Sequence, residues 1–434
     1  MKVMCIAVLA TAIAATPSSA QQDDKFLARA KAVLKSSPLV DGHNDLPWRI
    51  REDTLHANDI EAYDLAKRTP GMTDLARLKA GLVGAQFWSV YIPGEPNDGS
   101  YARNGNVSST PGYARVQLEQ IQIARRIIAR YPQTFAFATT EADVRKAFAS
   151  HRIGSMLGME GGHAIENSLE VLRAYYDLGA RYMTLTHNVT LDWADAALDT
   201  PKHGGLTPFG REVVREMNRL GMLCDLSHVS PGTMSNVLDV TEAPVIFSHS
   251  GARALVDHRR NVPDSILARV PRNGGVVMVP FVAAFTSKTV YADDVELERM
   301  TEDIRRRMPS DTAAQKRELA AWRKAHPRPR STLAEVADHI DHVRKVAGVD
   351  HVGIGSDFDG IAENVIGLED VSTFPMLFAE LARRGWSDAE LKKLAGENVL
   401  RVLKRAEVVS ARLKRERPAS IATIQQLDHT VVRP

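Results

Sequence analysis

The chain has 434 residues, 44% hydrophobic and 25% charged, a globular composition with ample length for one large core or for two or three domains. Its formal net charge of +2 offers no electrostatic case for binding nucleic acid. Beyond the N-terminus, no apolar run approaches the length of a membrane span.

The N-terminal residues 1–20 predict a secretory signal peptide. Lys2 precedes the apolar run Val3–Ala15, and Ser18 and Ala20 place small residues at the −3 and −1 positions of a cleavage site. The alternative is an apolar first helix of the mature fold. We expect an exported protein, periplasmic or secreted, whose mature chain keeps only Cys224 and therefore has no intramolecular disulfide.

Eight apolar runs have the length and composition of strands, and most are separated by segments with helical periodicity. In chain order they are Pro38–His43, Val83–Tyr91, Ile153–Glu160, Arg181–His187, Gly221–His228, Ala243–His249, Gly274–Phe281 and His351–Asp357. This alternation predicts an α/β fold of parallel strands with crossover helices. A closed (β/α)8 TIM-type barrel and an open doubly wound sheet both satisfy the count.

The positions of polar residues favour the barrel. Six of the runs end on a potential ligand or acid/base residue: His43 with Asp45, Glu160, His187, His228, His249 and Asp357. The carboxyl ends of all strands in a barrel meet at one face, so these side chains would converge, whereas an open sheet would space them along an edge.

A charged helical insertion is predicted at Ser287–Arg330, before the eighth strand. An insertion there could roof the catalytic face or form a surface hairpin without a role in turnover, and both interpretations stay open. We expect a barrel domain over residues 21–408 and a polar, basic C-terminal tail over 409–434.

Five of the strand-end residues have the chemistry of a two-metal centre. His43 and Asp45 alternate onto one side of an extended strand end, and His228 and His249 each follow an apolar run and a serine. Neutral imidazole is a common zinc ligand, and Glu160 has two oxygens with which it can bridge two ions. The set therefore predicts two metal ions per chain, with shared water between them and hydrolysis of an amide as the suited reaction.

Three further residues are candidates for the chemistry. His187 could donate a hydrogen bond to the oxygen of a tetrahedral intermediate, and Asp357 could carry a proton from the attacking water to the leaving amine. Arg260 could bind a substrate carboxylate with two parallel hydrogen bonds, although spacing alone does not separate it from Arg259.

An ordered set of motifs gives these residues a family context. The set comprises VDGHNDLPW at Val40–Trp48, MEGGH at Met159–His163, MTLTHN at Met183–Asn188, WADA at Trp193–Ala196, then DLSHVS, FSHS, RRNVPD and GSDFDG. Together these motifs resemble the membrane dipeptidase (renal dipeptidase) family over nearly the whole mature chain.

The resemblance implies a barrel of the amidohydrolase type with a binuclear zinc centre. His43, Asp45 and Glu160 would hold one zinc, and Glu160, His228 and His249 would hold the other. His187 would contact the substrate and stabilise the oxyanion, Arg260 would bind the substrate carboxylate, and Asp357 would be the acid/base residue.

The predicted function is therefore hydrolysis of dipeptides with a free C-terminal carboxylate, L-L and also L-D, by attack of a metal-bridging hydroxide. A related binuclear hydrolase acting on another small amide, lactam or ester is the alternative, and a metal-binding protein without catalysis is a second. A homodimer is an expectation from the family alone. The polar C-terminus, LDHTVVRP, predicts no stable membrane anchor.

Overall fold

A computed structural model describes residues 19–94 and 112–428. Residues 1–18 of the predicted signal peptide and residues 429–434 of the predicted tail lie outside the described residues. The strands, all parallel to their neighbours, are β1 Leu39–Asn44, β2 Val83–Ser89, β3 Phe135–Phe137, β4 Ile153–Glu160, β5 Ala180–Thr184, β6 Leu223–Asp225, β7 Ile246–Phe247, β8 Val276–Val279 and β9 Val352–Ile354.

Eight of these strands close into a barrel, and each overlaps one of the eight predicted runs. The order around the sheet is β2-β1-β9-β8-β7-β6-β5-β4, and β4 also pairs with β2, which completes the ring. The (β/α)8 prediction is thus confirmed, and the open doubly wound sheet is wrong. The sequence analysis did not predict β3, which pairs with the first residues of β4 on the edge that β5 uses farther along.

Helices surround the barrel and connect its strands. They are α1 Ser19–Ser36, α2 Leu46–Arg51, α3 Leu75–Ala80, α4 Tyr113–Arg130, α5 Glu141–Ala149, α6 Leu169–Asp177, α7 Pro208–Leu220, α8 Pro231–Val240, α9 Asp264–Leu267, α10 Val270–Asn273, α11 Ala283–Thr286, α12 Lys288–Arg307, α13 Thr312–Ala325, α14 Leu333–Ala347, α15 Phe374–Arg383, α16 Asp388–Lys392, α17 Asn398–Glu416 and α18 Ile424–Asp428. In the described part of the chain, no helix combines the length and apolarity that crossing a membrane requires.

Two hydrophobic layers hold the fold. Inside the barrel, alternate strand residues such as Val40, Phe87, Met156 and Met278 form a compact cluster. Outside it, the helices pack on the opposite faces of the strands in a larger core. Because both faces of the strands are covered, the sequence shows continuous apolar runs there. The interior packing also leaves the carboxyl ends of the strands as the place where polar side chains can gather.

The predicted insertion contains α12 and α13, and the two helices differ in burial. Val290 and Ile304 of α12 are buried, whereas α13 has no buried residue. At the C-terminus, the predicted boundary between 408 and 409 falls within α17, whose Val409 and Leu413 are buried.

Candidate metal centre

The carboxyl ends of β1, β4, β6 and β7 bring the five predicted ligands together. His43 lies near the end of β1, Asp45 directly follows that strand, Glu160 is the last residue of β4, and His228 and His249 lie just past β6 and β7. All five are buried. Residues far apart in the sequence therefore form one cluster, as the barrel interpretation requires.

Glu160 lies at the middle of the cluster, and its two carboxylate oxygens face different partners. Oε2 is 3.3 Å from His43 Nε2, and that nitrogen is 3.2 Å from Asp45 Oδ2. Oε1 is 2.9 Å from His228 Nε2 and 3.4 Å from His249 Nε2. The carboxylate thus lies between a His43–Asp45 pair and a His228–His249 pair.

The donor set fits metal ions. Three groups of residues each place their ligand atoms within 4.8 Å of one another. They are His43–Glu160–His249, Glu160–His187–His228 and His43–Asp45–Asp357. His43 Nε2 and Asp45 Oδ1 are buried and make no hydrogen bond. Buried polar atoms without partners are costly, and imidazole nitrogens and carboxylates are the donors that zinc takes.

The electrostatics of the cluster also favour cations. Burial lowers the pKa of His228 and of His249 well below the usual value for histidine, so both imidazoles stay neutral, as metal binding requires. At His43, burial is outweighed by Tyr182, Asp45 and Glu160, which raise its pKa well above the usual value. The carboxylates of Asp45 and Glu160 would also stabilise a metal cation, which would take the place of the His43 proton.

The other three predicted residues line the cavity above the cluster, which has a volume of about 550 Å³. The ring of His187 lies 4.5 Å from that of His228. Burial, with the carboxylates of Asp45 and Glu160, raises the pKa of Asp357 well above its usual value. Arg260, only 1% exposed, has a buried Nη1 that makes no hydrogen bond, and burial lowers its pKa to about 10. Arg259, its competitor, is exposed.

Two of these residues have backbone conformations that are unusual for their type. His228 has a φ of 67° and Asp357 a φ of 65°, in the left-handed region that favours glycine. Such conformations cost about 1–3 kcal/mol each and persist where the surroundings impose them, often at functional sites. Here they turn the chain sharply at the strand end, so that the side chain points into the cavity.

Three residues that the sequence analysis did not select orient the histidines. Tyr182 Oη is 2.8 Å from His43 Nδ1, Ser248 Oγ is 2.8 Å from His249 Nδ1, and Asn188 Oδ1 is 3.1 Å from His228 Nδ1. Each contact occupies Nδ1 and leaves Nε2 facing the cluster, which fixes the ring as outer partners of metal-bound histidines do. In the sequence, the only pattern that could have indicated two of these partners is that Ser248 and Asn188 each stand next to a strand-end histidine.

Tyr182→Phe tests this orientation at His43. The ring keeps its packing on Phe87 while the hydroxyl is lost, and we expect metal affinity to fall about tenfold, the lower end of the range for such outer partners. Competition with a fluorescent chelator measures this change. Tyr175→Phe is the matched control, because its buried hydroxyl bonds Ala164 O instead; equal affinity in both variants would show that the Tyr182 contact is not needed.

A comparison with protein families matches residues 27–417 of the chain to the family described as membrane dipeptidase (peptidase family M19). This match spans every strand and all eight predicted site residues.

Solved structures agree with that match. The chain is similar to the probable dipeptidase PvdM from Pseudomonas aeruginosa, with 25% identity and a TM-score of 0.74 over 89% of this chain and 99% of that one. It is also similar to a metallo peptidase from Rhodobacter sphaeroides liganded with a phosphinate mimic of the dipeptide L-Ala-D-Ala, with 26% identity and a TM-score of 0.67 over 85% of this chain and 99% of that one.

Proposed function

Because the chain belongs to the membrane dipeptidase family and is a metallo-dipeptidase, we propose that it uses two zinc ions to hydrolyse dipeptides that have a free C-terminal carboxylate. The observation that carries this proposal is Glu160, whose two oxygens face two separate ligand pairs. His43 and Asp45 would hold one ion with Glu160, and His228 and His249 would hold the other with it. Two zinc ions held there would supply a more acidic water and polarise the substrate carbonyl.

The protein's own residues would bind and orient the dipeptide. Arg260 is a buried cation that no described carboxylate pairs with, and it faces a cavity of about 550 Å³. A substrate carboxylate would supply its missing partner through two parallel hydrogen bonds. The cavity and the buried cation fit a small substrate with a carboxylate at one end. They favour dipeptides over neutral amides or esters.

Two residues would act on the reacting groups. His187 lies beside His228 on the cavity wall, where its ring could donate to the carbonyl oxygen as negative charge develops. Asp357 lines the same cavity near Asp45 and could accept the proton of the attacking water and return it to the leaving amine. Water addition and amine departure then share one proton carrier.

We also propose that the protein is exported. Support comes from the sequence alone: the Val3–Ala15 apolar run followed by small residues up to Ala20. Cell fractionation of the full-length protein, with N-terminal sequencing of the exported form, tests this proposal. A protein that stays in the cytoplasm with an intact N-terminus would contradict it.

A panel of dipeptides tests the proposed reaction. We expect hydrolysis of L-L and L-D pairs that is lost after treatment with a chelator and restored by zinc. Metal analysis of the active protein should give two ions per chain. Full activity after removal of all metal, or no cleavage of any dipeptide by the zinc-loaded protein, would contradict the proposal.

Arg260→Met tests the carboxylate contact. Methionine fills much of the buried volume without the charge, and we expect KM for dipeptides to rise about 100-fold, as for the loss of a charged hydrogen-bonded pair. Arg259→Met is the matched control, because this neighbouring side chain is exposed and should change KM little. If KM rose for Arg259→Met and not for Arg260→Met, the carboxylate contact would belong to Arg259.

A further inference from the structure

Arg260 is held in position mainly by rings. Its guanidinium carbon lies 5.3 Å from the centroid of Phe285, and its backbone N–H donates to His258 Nδ1 at 3.1 Å. No described side chain pairs with the guanidinium as a carboxylate would. The guanidinium therefore lies against Phe285, and His258 holds the backbone that carries the side chain.

These two rings continue into a stack of three. His258 lies 4.5 Å from Phe285 between ring centroids, at an interplanar angle of 35°. The ring of Tyr291 lies 5.0 Å from His258 at an angle of 75°, an edge-to-face arrangement. Contacts of this kind favour defined mutual orientations, so displacing one ring disturbs the next.

Tyr291 belongs to the helical insertion. It lies in the first turn of α12, next to the buried Val290 and after the capping residue Ser287. Asn261 joins the loop that carries Arg260 to the same region, because its Nδ2 donates to Phe285 O at 2.8 Å. Tyr291 of the insertion thus contacts the arginine loop through its ring, and Asn261 bonds that loop to Phe285, which lies just before the insertion.

The same helix is also bonded to a second residue of the cavity lining. Arg328, which lines the cavity, bonds Asp293 Oδ2 of α12 at 3.2 Å and pairs with Glu363 of the loop after β9. None of the α13 residues is fully buried or lines the cavity, although Arg323 of α13 also donates to Asp293. Within the insertion, α12 is therefore attached to residues that line the cavity, and Arg328, near the end of the insertion, is itself one of them.

We propose that the insertion positions Arg260 for the substrate carboxylate through the Tyr291–His258–Phe285 stack, with Tyr291 as its outermost positioning residue. This inference rests on the proposed function, since it requires that Arg260 bind the carboxylate. It gives the insertion a role at the site through α12.

The expected kinetic signature is specific. Arg260 would hold the carboxylate alike in the bound substrate and in the transition state, so loosening it should raise KM and leave kcat nearly unchanged. We expect Tyr291→Ala to raise KM for dipeptides about tenfold, a size consistent with loss of one edge-to-face aromatic contact. Tyr291→Phe should behave as the unchanged protein, because the ring remains.

The experiment compares KM and kcat for a dipeptide and for the same dipeptide with an amidated C-terminus. Tyr291→Ala should affect only the substrate with the carboxylate. Trp322→Ala is the matched control, since it removes an aromatic side chain of α13 that packs on His326. Tyr291→Leu, which keeps apolar volume, replaces the alanine variant if that one does not fold.

The outcomes separate this inference from the proposed function. If Arg260→Met raises KM and neither Tyr291→Ala nor Tyr291→Leu does, the stack does not position the arginine. If the amidated substrate suffers equally, the effect is general loosening and the inference is overturned. If Arg260→Met itself leaves KM unchanged, the carboxylate contact in the proposed function fails.

Discussion

Glu160→Gln should abolish turnover and remove metal from both halves of the site. The amide has one oxygen and no charge, so it cannot serve the His43–Asp45 pair and the His228–His249 pair together. Loss of metal chemistry removes several kcal/mol of transition-state stabilisation, so we expect activity to fall by at least about 10³-fold. Metal content per chain after dialysis, measured by mass spectrometry, checks the cause.

Two further variants serve as comparisons for Glu160→Gln. His228→Asn, in which asparagine tolerates the left-handed backbone, should release mainly one ion. Glu166→Gln, an exposed change near the same strand end, should keep both ions and full activity. Retention of two ions and normal turnover by Glu160→Gln would show that this carboxylate does not bridge.

Asp357→Asn should lower kcat about 10²- to 10⁴-fold, the usual contribution of a positioned proton carrier. Asparagine has the same shape and also tolerates the φ of 65°, so the loop should keep its conformation. We expect KM and metal content to change little. Steady-state kinetics together with metal analysis separate a proton carrier from a metal ligand.

The matched control is Asp359→Asn, two residues farther on at the same φ. Asp359 Oδ1 accepts from Met72 N at 2.7 Å, and an asparagine oxygen can keep that bond. Its activity should stay within a few-fold of the unchanged protein. If instead Asp357→Asn loses metal, its carboxylate belongs to the His43–Asp45–Asp357 group as a ligand.

The barrel was predictable from the sequence because its strands are buried on both faces. Each strand is then a continuous apolar run, and the ends of the runs carry His, Asp or Glu. In contrast, β3 is three residues long and Phe137 is partly exposed, so no run marks it. The helical character of the residues around 409 was missed because apolar positions there are spaced among many charges.

The contacts between side chains of different strands were beyond sequence reasoning. Tyr182 reaches His43 because of the stagger between β5 and β1 across the barrel, which no local pattern encodes. The same is true of the stack at Arg260, whose rings come from three separate segments. Local sequence patterns identify where strands end, whereas the contacts between those ends depend on the geometry of the closed barrel.

The distribution of the ligands over the barrel has a consequence for synthesis of the protein. A nascent chain that has emerged only through β4 contains His43, Asp45 and Glu160 but neither partner histidine. The complete donor set exists only after β7, and the ring closes only when β9 pairs with β1. We therefore expect metal to load only after β7 has been synthesised, because a shorter chain lacks part of the donor set.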